Sequence, residues 1–198
     1  QKQQEATISN RTSQREAAGA KRLEGFRKSA DEARDKRSQI EVLDSLYKRV
    51  GPTGEIIGPL RQQIMSVAQL LGAEPEALNK MQTMDAATVQ LMRATLKDFS
   101  GNDSDRDVLT AMRASPSVMK TPAANEALIA VARSQLQRQE LRAANANKWS
   151  GQFGSLEAKD PATNLTFEQA WDSHSKASAP IITDDLKAKL GIKPPRKR

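Results

Sequence analysis

The rest of the chain is organised around the stretch Phe99–Trp149, FSGNDSDRDVLTAMRASPSVMKTPAANEALIAVARSQLQRQELRAANANKW. It holds two helix patterns, each with its own start signal. Asp103 or Ser104 can cap the first, because a side-chain oxygen takes up the unpaired amides of an opening turn. Ser115-Pro116 breaks the chain, since the residue before proline avoids the helical region. Thr121 then caps a second helix with Pro122 at its first position, where a missing N–H costs nothing. From Pro122 to about Trp149 nothing interrupts a helix of roughly 40 Å, at about 1.5 Å rise per residue.

The composition points the same way. The chain has 198 residues, of which 37% are hydrophobic, 28% charged and 4% aromatic. So few aromatics leave the core to Leu, Ile, Val, Met and Ala. The abundance of Ala, Gln, Lys, Arg, Glu and Leu favours helix. The expectation is an all-α chain: an elongated multi-helix bundle with one long N-terminal helix and another near 122–149. No strand alternation of useful length occurs. The chain begins at Gln1 and not Met, as expected of a processed product or part of a longer protein. It has no cysteine, which excludes disulfides and thiolate metal sites. No apolar run approaches the roughly 20 residues of a membrane-spanning helix.

Residues 1–50 read as an extended helix whose first 13 or so residues fray unless a partner orders them. From Gln14 to Val50 a thin stripe runs through Leu23, Phe26, Ala30 and Ala33. It strengthens at Ile40, Leu43, Leu46, Tyr47 and Val50. So narrow a stripe on so long a helix asks for a neighbouring helix or subunit. Residues 51–150 read as a helical core domain. Gly51-Pro52-Thr53-Gly54 and Gly58-Pro59 are breakers. A helix from Pro59 carries Leu60, Ile64, Val67, Ala68 and Leu71 and ends at Gly72. Glu74-Pro75-Glu76 opens a short helix, and Asp85 is expected to cap another whose face reads Val89, Met92, Leu96 and Phe99. Residues 151–186 read as loops and short helices on that core. Ser150-Gly151 and Gly154-Ser155 mark a loop, and Thr166-Phe167-Glu168-Gln169 forms a capping box for a helix through Trp171. Trp149, Phe153, Phe167 and Trp171 are expected to form one cluster. A turn or two follows at Asp184–Leu190. Residues 187–198 read as a basic flexible tail.

Catalytic chemistry finds little to work with. His174 is the only histidine and falls in a polar loop, so a histidine metal site or triad lacks its parts. Gly51-Pro52-Thr53-Gly54 is no phosphate loop, lacking the Gly-Lys-Ser/Thr that must follow. Asp103, Asp105 and Asp107 alternate as in a calcium loop, but the glycine and closing glutamate are missing. Glu157 after a Gly-Ser-Leu turn is an isolated acid, and glycan cleavage needs one positioned in a cleft. The expectation is a protein that is not an enzyme and holds no cofactor or metal. The net charge is +7, and Lys187, Lys189, Lys193, Arg196, Lys197 and Arg198 concentrate much of it in the last dozen residues. Such a tail suits phosphates or acidic surfaces.

The punctuation as a whole carries a family resemblance. A helix ends at Val50. Gly-Pro-Thr-Gly, Gly58-Pro59-Leu60-Arg61 and a Leu-Gly-Ala-Glu-Pro-Glu turn follow. Ser104-Asp105, Ala114-Ser115-Pro116-Ser117, Thr121-Pro122 with Asn125, a long helix to Trp149, Gly154-Ser155-Leu156 and Phe167…Trp171 complete the order. Over about Leu43 to Leu186 this resembles the C-terminal helical region of internal virion proteins of tailed phages, especially the ejection (DNA-transfer) proteins of short-tailed phages. The family pattern often carries an acidic residue and a glycine after Thr-Pro, where this chain has Ala123 and Ala124. The resemblance implies a protein held in the capsid near the portal and released with the genome into the host envelope or periplasm. It implies assembly with copies of itself, and with other virion or ejection proteins or the portal, into a ring or tube that passes double-stranded DNA across the host envelope. Contact with that DNA would be transient and non-specific.

On that reading the subunit contacts fall on the Gln14–Val50 and Pro122–Trp149 helices, with Leu23, Phe26, Ile40, Leu43, Leu136 and Leu141 as candidates. Arg133, Arg138, Arg142, Lys193, Arg196, Lys197 and Arg198 are the candidates to face DNA. Two alternatives use the same features: a non-conducting scaffold or tape-measure-type module of the virion, and a nucleic-acid-binding adaptor acting through the basic tail.

Overall fold

The computed structural model describes residues 2–74, 76, 81–95, 122–178 and 183–189. The chain is all-α. Its helices are α1 (Lys2–Val50), α2 (Gly58–Leu71), α3 (Met84–Thr95), α4 (Pro122–Phe153), α5 (Phe167–Ala177) and α6 (Asp184–Lys189). The only extended pairing among the described residues is an isolated antiparallel bridge between Glu55 and Thr83. The helix expected after Asp103 and the breaker at Ser115-Pro116 lie outside the described residues. So do the Thr121 cap, Leu96, Phe99, the helix expected from Glu74-Pro75-Glu76 apart from Glu74 and Glu76 themselves, and the tail beyond Lys189.

By internal contacts the chain divides into two units, residues 1–33 with 138–178 and residues 34–137 with 179–198. These boundaries fall inside the two long helices and not at the Gly51 and Ser150 breaks.

In the second unit α1 contributes Ile40, Leu43, Leu46 and Tyr47 to a core completed by three further helices. They supply Ile64, Val67 and Leu71 of α2, Met84, Leu91 and Met92 of α3, and Leu128, Ile129 and Val131 of α4, all buried. The expected stripes on α1 and α2 are the ones that pack. The α3 face is rotated: Met84, Ala87, Thr88, Leu91 and Met92 are buried, while Val89 is only half-buried.

The 51–56 connection shows why the glycines stand where they do. Gly51 has φ +80, the left-handed conformation that glycine adopts without steric penalty, and its N–H donates to the Tyr47 carbonyl at 2.9 Å. Gly54 passes so close to Val50 that a Cβ there would collide with it. The loop carbonyls then serve the next helix but one. Met84 N–H donates to Gly54 O (3.0 Å) and Asp85 N–H to Pro52 O (3.1 Å), satisfying amides that an α3 start would leave open. Thr83 Oγ1 accepts from Ala86 N–H at 3.4 Å. Thr83 therefore stands before α3, and Asp85, expected as the cap, lies within its first turn. Gly72 closes α2 at φ 75, with its amide on the Ala68 and Gln69 carbonyls.

In the first unit α1 is helical from Lys2, so the residues expected to fray before Gln14 continue the helix. Likewise α4 runs four residues past Trp149, and Ser150-Gly151, expected as a loop, are its last turn. Gly154, at φ 85, ends it with its N–H on the Ser150 carbonyl at 2.8 Å. The turn after it is built around Asp160, whose carboxylate accepts from Ala162 N–H and Thr163 Oγ1, each at 2.9 Å. Asn164, at φ 57, adopts the left-handed conformation that asparagine tolerates. The capping box forms as expected, with Gln169 Oε1 accepting from the Thr166 N–H at 3.0 Å. The helix it starts runs on to Ala177, so His174 sits on a helix and not in a loop.

Candidate functional site

Among the described residues, the second unit holds a polar hub and the first an aromatic cluster. In the second unit a carboxylate ties three helices together. Asp85 Oδ1 of α3 accepts from the Tyr47 hydroxyl of α1 at 2.7 Å and from Asn125 Nδ2 of α4 at 2.5 Å. Tyr47 is 4% exposed and Asn125 fully buried. Burial of the phenol, reinforced by its hydrogen bond to the neighbouring carboxylate, pushes the Tyr47 pKa up to about 12. Asn125 Oδ1 and the buried Thr88 hydroxyl have no hydrogen-bond partner. Nearby, Arg133 of α4 forms a fork to Glu41 of α1, with Nε at 2.6 Å and a terminal nitrogen at 2.8 Å, and reaches Asp44 at 3.3 Å. The hydrogen bond from Glu41 holds the guanidinium above its ordinary pKa.

In the first unit the chain's two tryptophans meet three phenylalanines. Phe167 is buried with Ala146 and Leu156, and Leu23, Phe26, Trp149 and Trp171 pack around them. Phe26 meets Phe167 edge-on at 5.8 Å, Trp149 meets Phe167 at 6.1 Å, and Trp171 stacks on Phe167 at 6.3 Å. Trp149 also contacts Phe153 at 4.7 Å, and its indole N–H donates to the Ala158 carbonyl at 3.1 Å, fixing the ring. The Arg142 guanidinium lies 4.7 Å over the Phe26 ring and donates to Glu168 at 2.6 Å. Buried Gly19 lets the Ser155–Glu157 turn come to about 4 Å of where its Cβ would be, and Arg22 pairs with Glu157 beside it. Glu157, the acid weighed for glycan cleavage, is thus engaged in an ion pair.

A groove of about 580 Å³ lies between α4 and α5 on this cluster. Its walls include Leu141, Trp149, Phe153 and Trp171, and Asn145, Lys148, Gln152, Asp160 and His174 also line it.

The expected contact residues separate in this geometry. Ile40 and Leu43 are fully buried and Leu136 is 4% exposed, all within their own unit. Leu23 and Phe26 belong to the aromatic cluster. Only Leu141, at 49% exposure, stands open. Of the residues expected to face DNA, Arg133 and Arg142 are neutralised by carboxylates, and Arg138 is half-buried and engaged as well. Lys193, Arg196, Lys197 and Arg198 lie outside the described residues. The Asp85 hub went unforeseen because its members are 38 and 40 residues apart in sequence. The one advance signal was the pairing of Asn125 and Tyr47 with otherwise apolar helix faces.

Among the described residues no group of three or more His, Cys, Asp or Glu side chains converges as a metal site would require. No described helix is long and apolar enough to cross a membrane. No protein-family model matches this sequence, and neither a curated protein nor a solved structure is significantly similar to it.

Proposed function

We propose that this chain is a structural subunit of a phage particle, ejected with the genome and assembling with copies of itself into a ring or tube for DNA passage. Its work is scaffolding and not catalysis. One observation carries the reading beyond the family resemblance: the N-terminal part of α1 is a long helix that its own unit hardly covers. Between Gln14 and Glu32 the residues with described burial are exposed, apart from buried Gly19 and Ala30 and half-buried Leu23 and Phe26. A helix this polar gains little from its own core, so it is stabilised when other helices lie against it. In a closed ring each subunit offers two different patches to its neighbours, and a long exposed helix is suited to be one of them.

The ion pairs at Arg133 and Arg142 suit a wall that DNA passes without sticking, since each cation already has a carboxylate. The same pairing favours a second reading, a non-conducting scaffold or tape-measure-type module. Electron microscopy and mass photometry of the purified chain, with and without lipid, test the first. Closed oligomers are expected; a strict monomer in both conditions, together with absence from virions, overturns it. A particle reconstruction that places the chain on the outside of the capsid or tail favours the second.

A further inference from the structure

We propose that the groove between α4 and α5 binds a short neutral oligosaccharide of two or three pyranose units. Both tryptophans of the chain line it, and Trp149, Phe153 and Trp171 are all only half-buried there. A folded unit so poor in large apolar side chains leaves its three most useful rings partly in water. Trp149 is held by its bond to the Ala158 carbonyl, and Trp171 by stacking on Phe167, so both rings are fixed before any ligand arrives. Fixed aromatic planes bind at little cost in side-chain ordering.

The polar groups narrow the ligand. Asn145 donates to the Leu141 carbonyl, which leaves its own carbonyl oxygen able to accept. Gln152 and Lys148 are exposed at the rim, adding an amide that both donates and accepts and an ammonium that donates. A pyranose presents the matching surface: a C–H face for the rings and a rim of hydroxyls that donate and accept. A nucleic-acid strand would need a cationic track, whereas this lining sets one lysine against one carboxylate, Asp160. A docking helix would need aliphatic wells, and Leu141 is the one large aliphatic side chain in the lining. The volume of about 580 Å³ lies within the range of small-ligand sites.

Because the only two tryptophans line the groove, tryptophan-selective fluorescence of the full chain reads this site. The probes are triacetylchitotriose, cellotriose and maltotriose, each to about 10 mM. A saturable emission change with at least one is expected, half-complete at or below about 1 mM. Gln152→Ala and Lys148→Ala change exposed positions, and each should raise that midpoint about 3- to 10-fold with the helical circular dichroism unchanged. The proposal is overturned by the absence of a saturable change with all three sugars, or by an unaltered midpoint in both variants. It is equally overturned by a tighter response to a single-stranded oligonucleotide, or by an emission spectrum that shifts with protein concentration alone, which would place a second copy in the groove.

Discussion

Replacing Asp85 with alanine should be among the most damaging single changes to this chain outside its apolar core. The side chain accepts two hydrogen bonds, from the Tyr47 hydroxyl at 2.7 Å and from Asn125 Nδ2 at 2.5 Å. Both donors are buried. Hydrogen bonds to a charged acceptor contribute about 1.5–3 kcal/mol each, and a buried donor left without an acceptor costs about 1–3 kcal/mol. Asp85 itself is half-buried, so water can partly replace it. The expected loss is therefore about 3–5 kcal/mol, a large share of the roughly 5–15 kcal/mol that holds a domain together. Asp85→Asn keeps one acceptor oxygen and should lose about half as much. Urea unfolding followed by far-ultraviolet circular dichroism measures both, with an unchanged denaturant slope as the check that only stability moved. In the double variant Tyr47→Phe/Asp85→Ala, the combined loss should fall short of the sum by about 1–2 kcal/mol, because both changes remove the same bond. A loss below about 1 kcal/mol for Asp85→Ala, or additive effects in the cycle, would refute the three-helix hub.

The hub also sets an alkaline limit. Its folded-state Tyr47 pKa, about 12, lies above the ordinary value of 10.0, so the protonated phenol stabilises the fold. That contribution is complete below pH 10 and is lost as pH rises from 10 through 12; Tyr47→Phe should lack this component when the two pH–stability curves are subtracted. Gly25→Ala and Gly154→Ala should move stability in opposite directions in thermal melts. Gly25 is exposed mid-helix with open space at its Cβ, for a gain of about 0.5–1 kcal/mol, whereas Gly154 at φ +85 should lose about 1–2 kcal/mol. Phe167→Ala removes the ring on which Phe26, Trp149 and Trp171 converge and should cost about 3–5 kcal/mol, with a red-shifted tryptophan emission. Deleting Gly191–Arg198 should abolish salt-sensitive retention on immobilised DNA if the basic tail is the contact, and unchanged retention rules the tail out.

Features that four or five neighbouring residues settle among themselves were readable along the chain. The Gly51 turn, the Gly72 end of α2, Pro122 at the start of α4 and the Thr166–Gln169 capping box were all legible, because each is settled by local dihedral preference and hydrogen bonds of short reach. The helical class followed from composition and from the 3.6-residue stripes through Ile40–Tyr47 and Ile64–Leu71. Local rules failed where a distant group offered something better. Asp85 looked like a cap, but Thr83 stands before the helix and takes the Ala86 and Ala87 amides, so the Asp85 carboxylate in the first turn turns to Tyr47 and Asn125. Ser150-Gly151 looked like a loop, yet the chain stays helical until Gly154, where a left-handed residue ends it.

Which thin-striped side chains stay inside the chain and which remain open depends on packing between distant helices. Ile40 and Leu43 are buried in one unit and Phe26 joins Phe167 in the other, across 141 positions of sequence that no periodicity spans. Arg133 and Arg142 read as free cations on a helix face until carboxylates 92 and 26 residues away come to meet them. An apolar stripe shows that a helix must be covered, and a charge shows that it prefers a counter-charge. Which partner satisfies each is a property of three-dimensional packing.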